Sequence, residues 1–421
     1  MTLRNFNTES ILHFLALGGI FTSGIVFEFL PVSISQFCIL LLFVVLVALR
    51  RIYLHRGLFL ALIYALFVTV INIDKVEGIN IVTYIRTCIY IIAYYSYVSY
   101  LGRDKLPDVY KKYITGCYIF SIIAIVQEIG FLLHIPILYD VSYIDGVPRN
   151  IVTTMGLLQV YSLTLEPVFF VGLILPCMSQ IKQNLFIKDE FLVPISRKQK
   201  IVISIAFLLT FSFTAYVCLL LIFSYYYLKQ LNFNFRSVFY SILIVAFVVS
   251  IFFVIPGNMK NKFESLFAER EALTTSVENL SAFAIISNFL IAKDAANDHY
   301  LGTGFFTNKN NFDAYINDHF KITNDTIILN RLDGGSMYIK ILSEYGYIGL
   351  FLFFLLFYLN RSKRMDNAYS LLNNCLFITI LVLFLRTADY VSPILTYIIV
   401  VFFFTANDRL ATSEEPIPVE S

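Results

Sequence analysis

Four ionisable side chains fall inside stretches that are otherwise apolar: Arg86, Glu128, Glu166 and Arg386. A charge within a hydrocarbon layer is costly, so each marks a candidate site by default. Two further arginines lie in polar segments beside such stretches. Arg149 precedes the one that carries Glu166, and Arg331 comes about one turn ahead of the one that starts at Ser336. Arginine grips phosphate through parallel N–H donors. A ring of Arg86, Arg149, Arg331 and Arg386 around a carboxylate suits an anionic lipid headgroup, with a diphosphate as the leading candidate. The plain alternatives are snorkelling or an internal Arg–Glu pair, which fit Glu128 and Arg386 best and Glu166 least. A solvated loop accounts for Arg149 and Arg331 as simply.

The elements that must position these residues are apolar helices. The chain of 421 residues is 58% hydrophobic and 14% charged, with mean hydropathy +0.75. A soluble core cannot absorb that excess, so the fold class expected is an all-α polytopic membrane protein. A net charge of +2 gives no reason to expect nucleic acid. Trp is absent and Tyr numbers 28, so Tyr supplies the interfacial aromatic belt. The six cysteines sit in apolar segments and suggest small buried hydrophobes, not a disulfide framework. The first apolar stretch lacks a small-residue cleavage pattern and is expected to be the first span, not a signal peptide.

A helix needs roughly 20 apolar residues to cross the bilayer. Expected spans are 11–30, 33–49, 57–73, 80–101, 113–134, 156–179, 237–256, 336–358, 371–387 and 391–405. Basic clusters at Arg50–Arg56, Arg103–Lys112, Lys182–Lys200 and Arg361–Arg364 all fall on one face if the N-terminus is cytoplasmic. Stretch 201–228 decides parity. At 1.5 Å per residue it reaches about 42 Å, long for one span and short for two. Both flanks are basic, and its centre, Thr210–Thr214, is hydroxylated. A pair of short helices broken there satisfies both flanks, and the alternative is one tilted span. Counting the pair as two gives about twelve spans with both termini cytoplasmic. The expected organisation is 1–256 as N-terminal helices, 257–335 as a large periplasmic loop, 336–405 as C-terminal helices and 406–421 as a cytoplasmic tail.

On that topology the four embedded charges lie in the outer half of the membrane, with Glu166 close to the midplane. No HExxH, Walker A or CxxC pair is present. Asp298, His299, Asp318 and His319 form a conceivable metal set, but chance loop residues are far more common. Phe305, Phe306, Asn308, Asn310, Asn311, Phe312 and Tyr315 suit sugar stacking and hydroxyl contacts, or simply form a polar outer loop.

Three pieces together resemble a known family. Arg149-Asn150 through Met155-Gly156 to Glu166-Pro167 is similar to the Arg…Gly…Glu-Pro signature of Wzy-type O-antigen polymerases. Leu209-Thr210-Phe211-Ser212 resembles that family's broken-helix element. Gly302-Thr303-Gly304, Ser336-Met337-Tyr338 and Glu344-Tyr345-Gly346-Tyr347-Ile348-Gly349 resemble the C-terminal pattern shared with O-antigen ligases. The resemblance covers residues 145–355 by motif and the whole chain by span layout.

It implies a GT-C-like glycosyltransferase of the bacterial inner membrane, multi-pass, with its active site facing the periplasm. Such enzymes polymerise undecaprenyl-diphosphate-linked oligosaccharides without a metal or cofactor, often alongside a chain-length regulator protein. The implied catalytic set is Glu166, Arg149 and Arg331, and the implied diphosphate-binding set is Arg86, Arg149 and Arg386. Glu166 is either the base or a partner that orients an arginine. The ligases carry a His where this chain has Gly335, which favours polymerase over ligase. Arg331 to Gly346 approximates a further Arg…Gly motif with its spacing one residue off. A flippase is the remaining alternative, disfavoured by the large outer segment and by charges confined to one half.

Overall fold

The computed structural model describes residues 8–25, 33–147, 151–154, 156–186, 191–230, 280–319, 330–363 and 367–406. Arg149, the expected span 237–256, the early part of the expected outer loop and the expected tail lie outside them. The described chain is mostly helical. It runs α1 (Thr8–Phe21), α2 (Ile34–Ala48), α3 (Arg56–Ile71), α4 (Gly78–Leu101) and α5 (Leu106–Leu132), then the single turns α6 (Pro136–Tyr139) and α7 (Ser142–Asp145). A two-stranded hairpin follows, β1 (Thr153–Thr154) against β2 (Leu157–Leu158). Next come α8 (Pro167–Phe186), α9 (Arg197–Leu209), α10 (Phe213–Gln230), α11 (Leu280–Asp298), α12 (Asn308–His319), α13 (Met337–Leu359), α14 (Ala368–Leu383) and α15 (Pro393–Thr405).

Among the described residues, α4, α5, α8 and α13 are long and apolar enough to cross a membrane, and six shorter helices are also apolar. Their starts follow local chemistry. Ser33 before α2 and Ser196 before α9 form capping boxes with Gln36 and Gln199, and Asn367 before α14 does so with Ser370. Each cap satisfies N–H groups that the first turn leaves free.

The basic clusters gather at one end of the bundle. The Lys105 ammonium pairs with Glu9 at the start of α1. The Tyr369 hydroxyl at the start of α14 donates to the Arg103 carbonyl, and the Arg103 guanidinium lies over the Tyr369 ring. The Tyr53 N–H, just before α3, reaches Ser96 near the end of α4. This basic end collects the segments that a positive-inside bias would place together.

The break inside 201–228 is present. Helix α9 stops at Leu209, Phe211 adopts φ +42°, and α10 starts at Phe213. Ser204 of α9 meets Met178 of α8. On α10, Cys218 faces the carbonyl of Val382, and Tyr225 reaches Asn374 further toward the basic end. The pair therefore runs out and back. The break frees carbonyls that must be satisfied at depth. The Tyr216 hydroxyl takes that of Leu208 at 2.9 Å, and the Val160 N–H takes that of Leu209 at 3.2 Å.

The expected span 156–179 needs correction. Its helix begins only at Pro167, and residues 157–166 form a non-helical segment, extended at first and turning at Ser162, that dips into the bundle. Its backbone groups find partners on α5. The Leu158 N–H donates to the Glu128 carboxylate at 3.0 Å. Gln127 acts as a surrogate strand edge, accepting from the Ser162 N–H at 2.7 Å and donating to the Ser162 carbonyl at 2.8 Å. The Ser162 hydroxyl reaches the Phe120 carbonyl, about 18 Å below the outer end of α5 by helical rise. Gly24 makes this path possible, because a Cβ there would lie 2.3 Å from the Leu163 carbonyl oxygen.

Glu128 is 6% exposed and holds this segment in place. Glu128→Ala leaves the Leu158 N–H orphaned, so a loss of about 2 kcal/mol is expected. Thermal unfolding of the purified protein checks this, with Glu128→Gln close to the parent because its amide oxygen still accepts.

Candidate functional site

Helix α13 is kinked at Gly346, which adopts φ +61° and ψ −166°. The kink removes in-helix partners from the carbonyls before it. The loop 302–304 supplies replacements, with the Thr303 and Gly304 N–H groups both donating to the Glu344 carbonyl at 2.9 Å. The approach is close. A Cβ on Gly302 would lie 2.2 Å from that carbonyl oxygen, and one on Gly346 would lie 2.1 Å from the Tyr300 carbonyl oxygen. The two glycine-containing motifs therefore interlock, and their glycines serve backbone packing rather than a phosphate cradle.

Just before the kink lies a pair of charges outside the sequence-based candidate site. Lys340 and Glu344 are both fully buried on α13. The Lys340 ammonium donates to the Ala388 carbonyl at 3.2 Å and lies 4.0 Å from the Phe306 ring centroid and 4.6 Å from that of Tyr390. Such ring faces compensate part of the lost hydration. The Tyr390 hydroxyl donates to the Glu344 carboxylate at 3.0 Å. Their signal was available: two ionisable residues four apart in an apolar stretch share one helix face.

These contacts fix the turn 384–392, which carries Arg386. The Met337 N–H and the Ser336 hydroxyl add bonds to the Phe384 carbonyl at 2.9 and 3.0 Å. Tyr390→Phe removes the hydroxyl that Glu344 accepts from. It is expected to lower stability by about 1–3 kcal/mol, checked by thermal unfolding.

Arg386 is half-buried and makes no side-chain hydrogen bond or ion pair among the described residues. Arg86 on α4 is also half-buried. Its Nε is shielded from solvent and has no hydrogen-bond partner. Arg86 and Asp389, from the Arg386 turn, both act electrostatically on Tyr90, so the two segments adjoin. Beside them lies an apolar cleft of about 390 Å³. Its walls come from α3, α4, α13 and α15, and Tyr84, Phe305, Phe384 and Tyr390 line its head. Rings link those residues, with Phe305 5.3 Å from Tyr84 and 5.0 Å from Tyr390. Tyr84 and Phe384 line the cleft two positions before Arg86 and Arg386, and the two arginines themselves lie outside its lining.

Glu166 sits at the N-terminus of α8 with an exposed side chain and no side-chain partner among the described residues. A non-helical segment leads into it, so Glu166 lies at the outer end of α8 and not inside a helix that starts at residue 156. Helices α8 and α14 run antiparallel, with Gln183 against Leu371, Pro176 against Cys375, and Gly172 beside Leu383. That register puts Glu166 on the level of the Arg386 turn. Arg331 is exposed, and its guanidinium pairs with Asp313 of α12, so its charge is already answered. Arg86, Arg386 and Glu166 therefore share one level; the turn that carries Arg331 adjoins Arg386, with a Cβ on Gly335 3.6 Å from the Arg386 Nη1, but the Arg331 guanidinium is turned to Asp313.

The sugar-contact reading of the outer loop meets a correction. Asn308 donates to the Arg331 carbonyl, Asn310 to the Lys75 carbonyl, and Asn311 to Ser343 and Thr303. Asn310 and Asn311 dock the segment 280–319 onto the bundle, and Asn308 ties it to the turn before α13. Phe305 is buried in the same docking, and Phe312 is buried between α11 and α12 with Ala284, Ile291 and Ile316. The Tyr315 hydroxyl donates to Asp298 at 2.7 Å. Burial, with that carboxylate beside it, pushes Tyr315 up to about 12. His299 faces the Lys75 ammonium at 3.0 Å. Among the described residues no three His, Cys, Asp or Glu side chains gather as a metal set. No protein-family model matches this chain, and no curated protein matches it.

Proposed function

We propose that this protein is a membrane-embedded glycosyltransferase that polymerises undecaprenyl-diphosphate-linked oligosaccharides into a surface polysaccharide, in the manner of Wzy-type polymerases. The observation that carries the reading is the pair of half-buried guanidiniums, Arg86 and Arg386, left without anionic partners among the described residues beside the head of an apolar cleft. A buried unpaired cation is costly unless a ligand completes it. A polyprenyl diphosphate has the matching shape, an apolar tail for the cleft and a dianionic head for the arginines.

The chemistry follows from that placement. An acceptor hydroxyl oxygen attacks the anomeric carbon of the donor sugar, and the bond to the diphosphate oxygen breaks. Charge grows on the leaving diphosphate, where preorganised guanidinium donors stabilise it. The hydroxyl proton needs an acceptor at the same depth, and the exposed Glu166 carboxylate is the candidate. Gly334 and Gly335, at φ +69° and +70°, make a turn in which a Cβ on Gly335 would lie 2.6 Å from the Asn330 amide nitrogen. A histidine of the ligase kind is disfavoured there, which supports polymerase over ligase.

The positive-inside bias assigns the basic end to the cytosol and this site to the periplasmic half of the bacterial inner membrane. A chain-length regulator is the expected protein partner. Gene deletion tests the reading. Single repeat units on the lipid A core are expected, whereas loss of all attached units would indicate a ligase or flippase instead.

A further inference from the structure

A second cavity, of about 640 Å³, opens between α1 and α5 at the basic end, far from the arginines. Its mouth is charged, with Glu9, His13, Lys105, Asp108, Lys111 and Lys112. Deeper in, Leu17, Phe21 and Ile119 make it apolar. The floor is built in. A Cβ on Gly116 would lie 2.1 Å from the Phe21 ring, so glycine lets the far edge of that ring rest against α5, and Phe120 closes against it at 5.1 Å.

The charges do not cancel. Lys105 and Glu9 neutralise one another as an ion pair. The His13 ring is engaged by the Tyr97 hydroxyl at 2.6 Å. Lys111, Lys112 and Asp108 remain, with no ion pair among the described residues, leaving one net positive charge. We infer that this cavity binds the headgroup of a monoanionic phospholipid, its phosphodiester between Lys111 and Lys112 and its acyl chains leaving along Leu17 and Ile119. A single negative charge balances the cavity, and the gradient from charged mouth to apolar floor follows that of a lipid at the bilayer interface. Lysines close to an anionic lipid surface contribute additively, so two of them form a strong determinant.

Native mass spectrometry of the full chain in neutral detergent tests this, with added dioleoylphosphatidylglycerol, dioleoylphosphatidylcholine or inorganic phosphate. The parent is expected to retain one phosphatidylglycerol and no phosphatidylcholine. The variant Lys111→Ala/Lys112→Ala is expected to weaken retention about thirtyfold. Lys198→Ala/Lys200→Ala, at another basic segment, is expected to leave it unchanged. Equal retention of phosphatidylcholine, or an unchanged Lys111/Lys112 variant, overturns the assignment. Displacement by inorganic phosphate overturns the lipid as its source and leaves a free-anion site.

Discussion

Arg86→Ala and Arg386→Ala are each expected to reduce glycan polymerisation by about a hundredfold while the protein accumulates normally. Each guanidinium is half-buried and lacks an anionic partner among the described residues, so removing it breaks no ion pair there. Stability is expected to hold or rise, since an uncompensated charge leaves the bundle. On the proposed function, activity falls because the leaving diphosphate loses donors that are strongest at the transition state. Lysine replacements are expected to rescue only a small part, because an ammonium cannot offer two parallel N–H bonds. The measurement is the length distribution of surface glycan in a deletion strain carrying each variant, normalised to protein level. Loss of activity accompanied by loss of protein would place these arginines in the scaffold.

Gly302→Ala and Gly346→Ala are expected to be the most destabilising single substitutions in the outer half, at about 3–5 kcal/mol each. Both glycines have positive φ, +87° and +61°, and at both a Cβ would meet backbone atoms that cannot rotate away. Strain and overlap therefore act together. Two other glycines separate these causes. Gly102 has φ +76° and ψ 175° with open space around it, so alanine there carries only conformational strain of about 1–3 kcal/mol. Gly78 has open space at the start of α4, so alanine there is expected to be neutral or mildly stabilising. Thermal unfolding of the four purified variants checks the order. Gly302→Ala behaving like Gly102→Ala would show that the loop 302–304 does not pack against α13 as described.

The broken pair near Thr210 was legible in the sequence because charge flanks and helix length both forced it. The gathering of basic clusters at one end followed from the same bias. The path of residues 157–166 was not legible. Leu157, Leu158, Val160 and Leu163 are as apolar as a span, and composition cannot distinguish an extended strand from a helix when side chains of neighbouring helices satisfy its backbone. Gln127 and Glu128 do that work from α5, and nothing local to 157–166 announces it. Glu128 is an embedded charge by sequence and a backbone partner in the fold.

The outer asparagines misled for a related reason. An amide that suits a sugar hydroxyl suits a carbonyl equally well, and Asn308, Asn310 and Asn311 are spent on carbonyls and side chains of the protein. Lys340 and Glu344 are legible in the sequence as a charge pair on one helix face. Their spacing marked one helix face, but what lies opposite that face, Phe306 and Tyr390, comes from segments distant in sequence. Arg86 and Arg386 were identified by type and depth alone, and the fold adds the cleft beside them.

The account rests on a diphosphate being held by Arg86 and Arg386 with its prenyl tail in the adjoining cleft. Native mass spectrometry of the full chain with undecaprenyl diphosphate and with undecaprenol measures this directly. The account predicts one undecaprenyl diphosphate retained by the parent, little undecaprenol, and loss of the diphosphate in Arg86→Ala/Arg386→Ala. Equal retention of the two lipids, or undiminished diphosphate retention by the double variant, would contradict it.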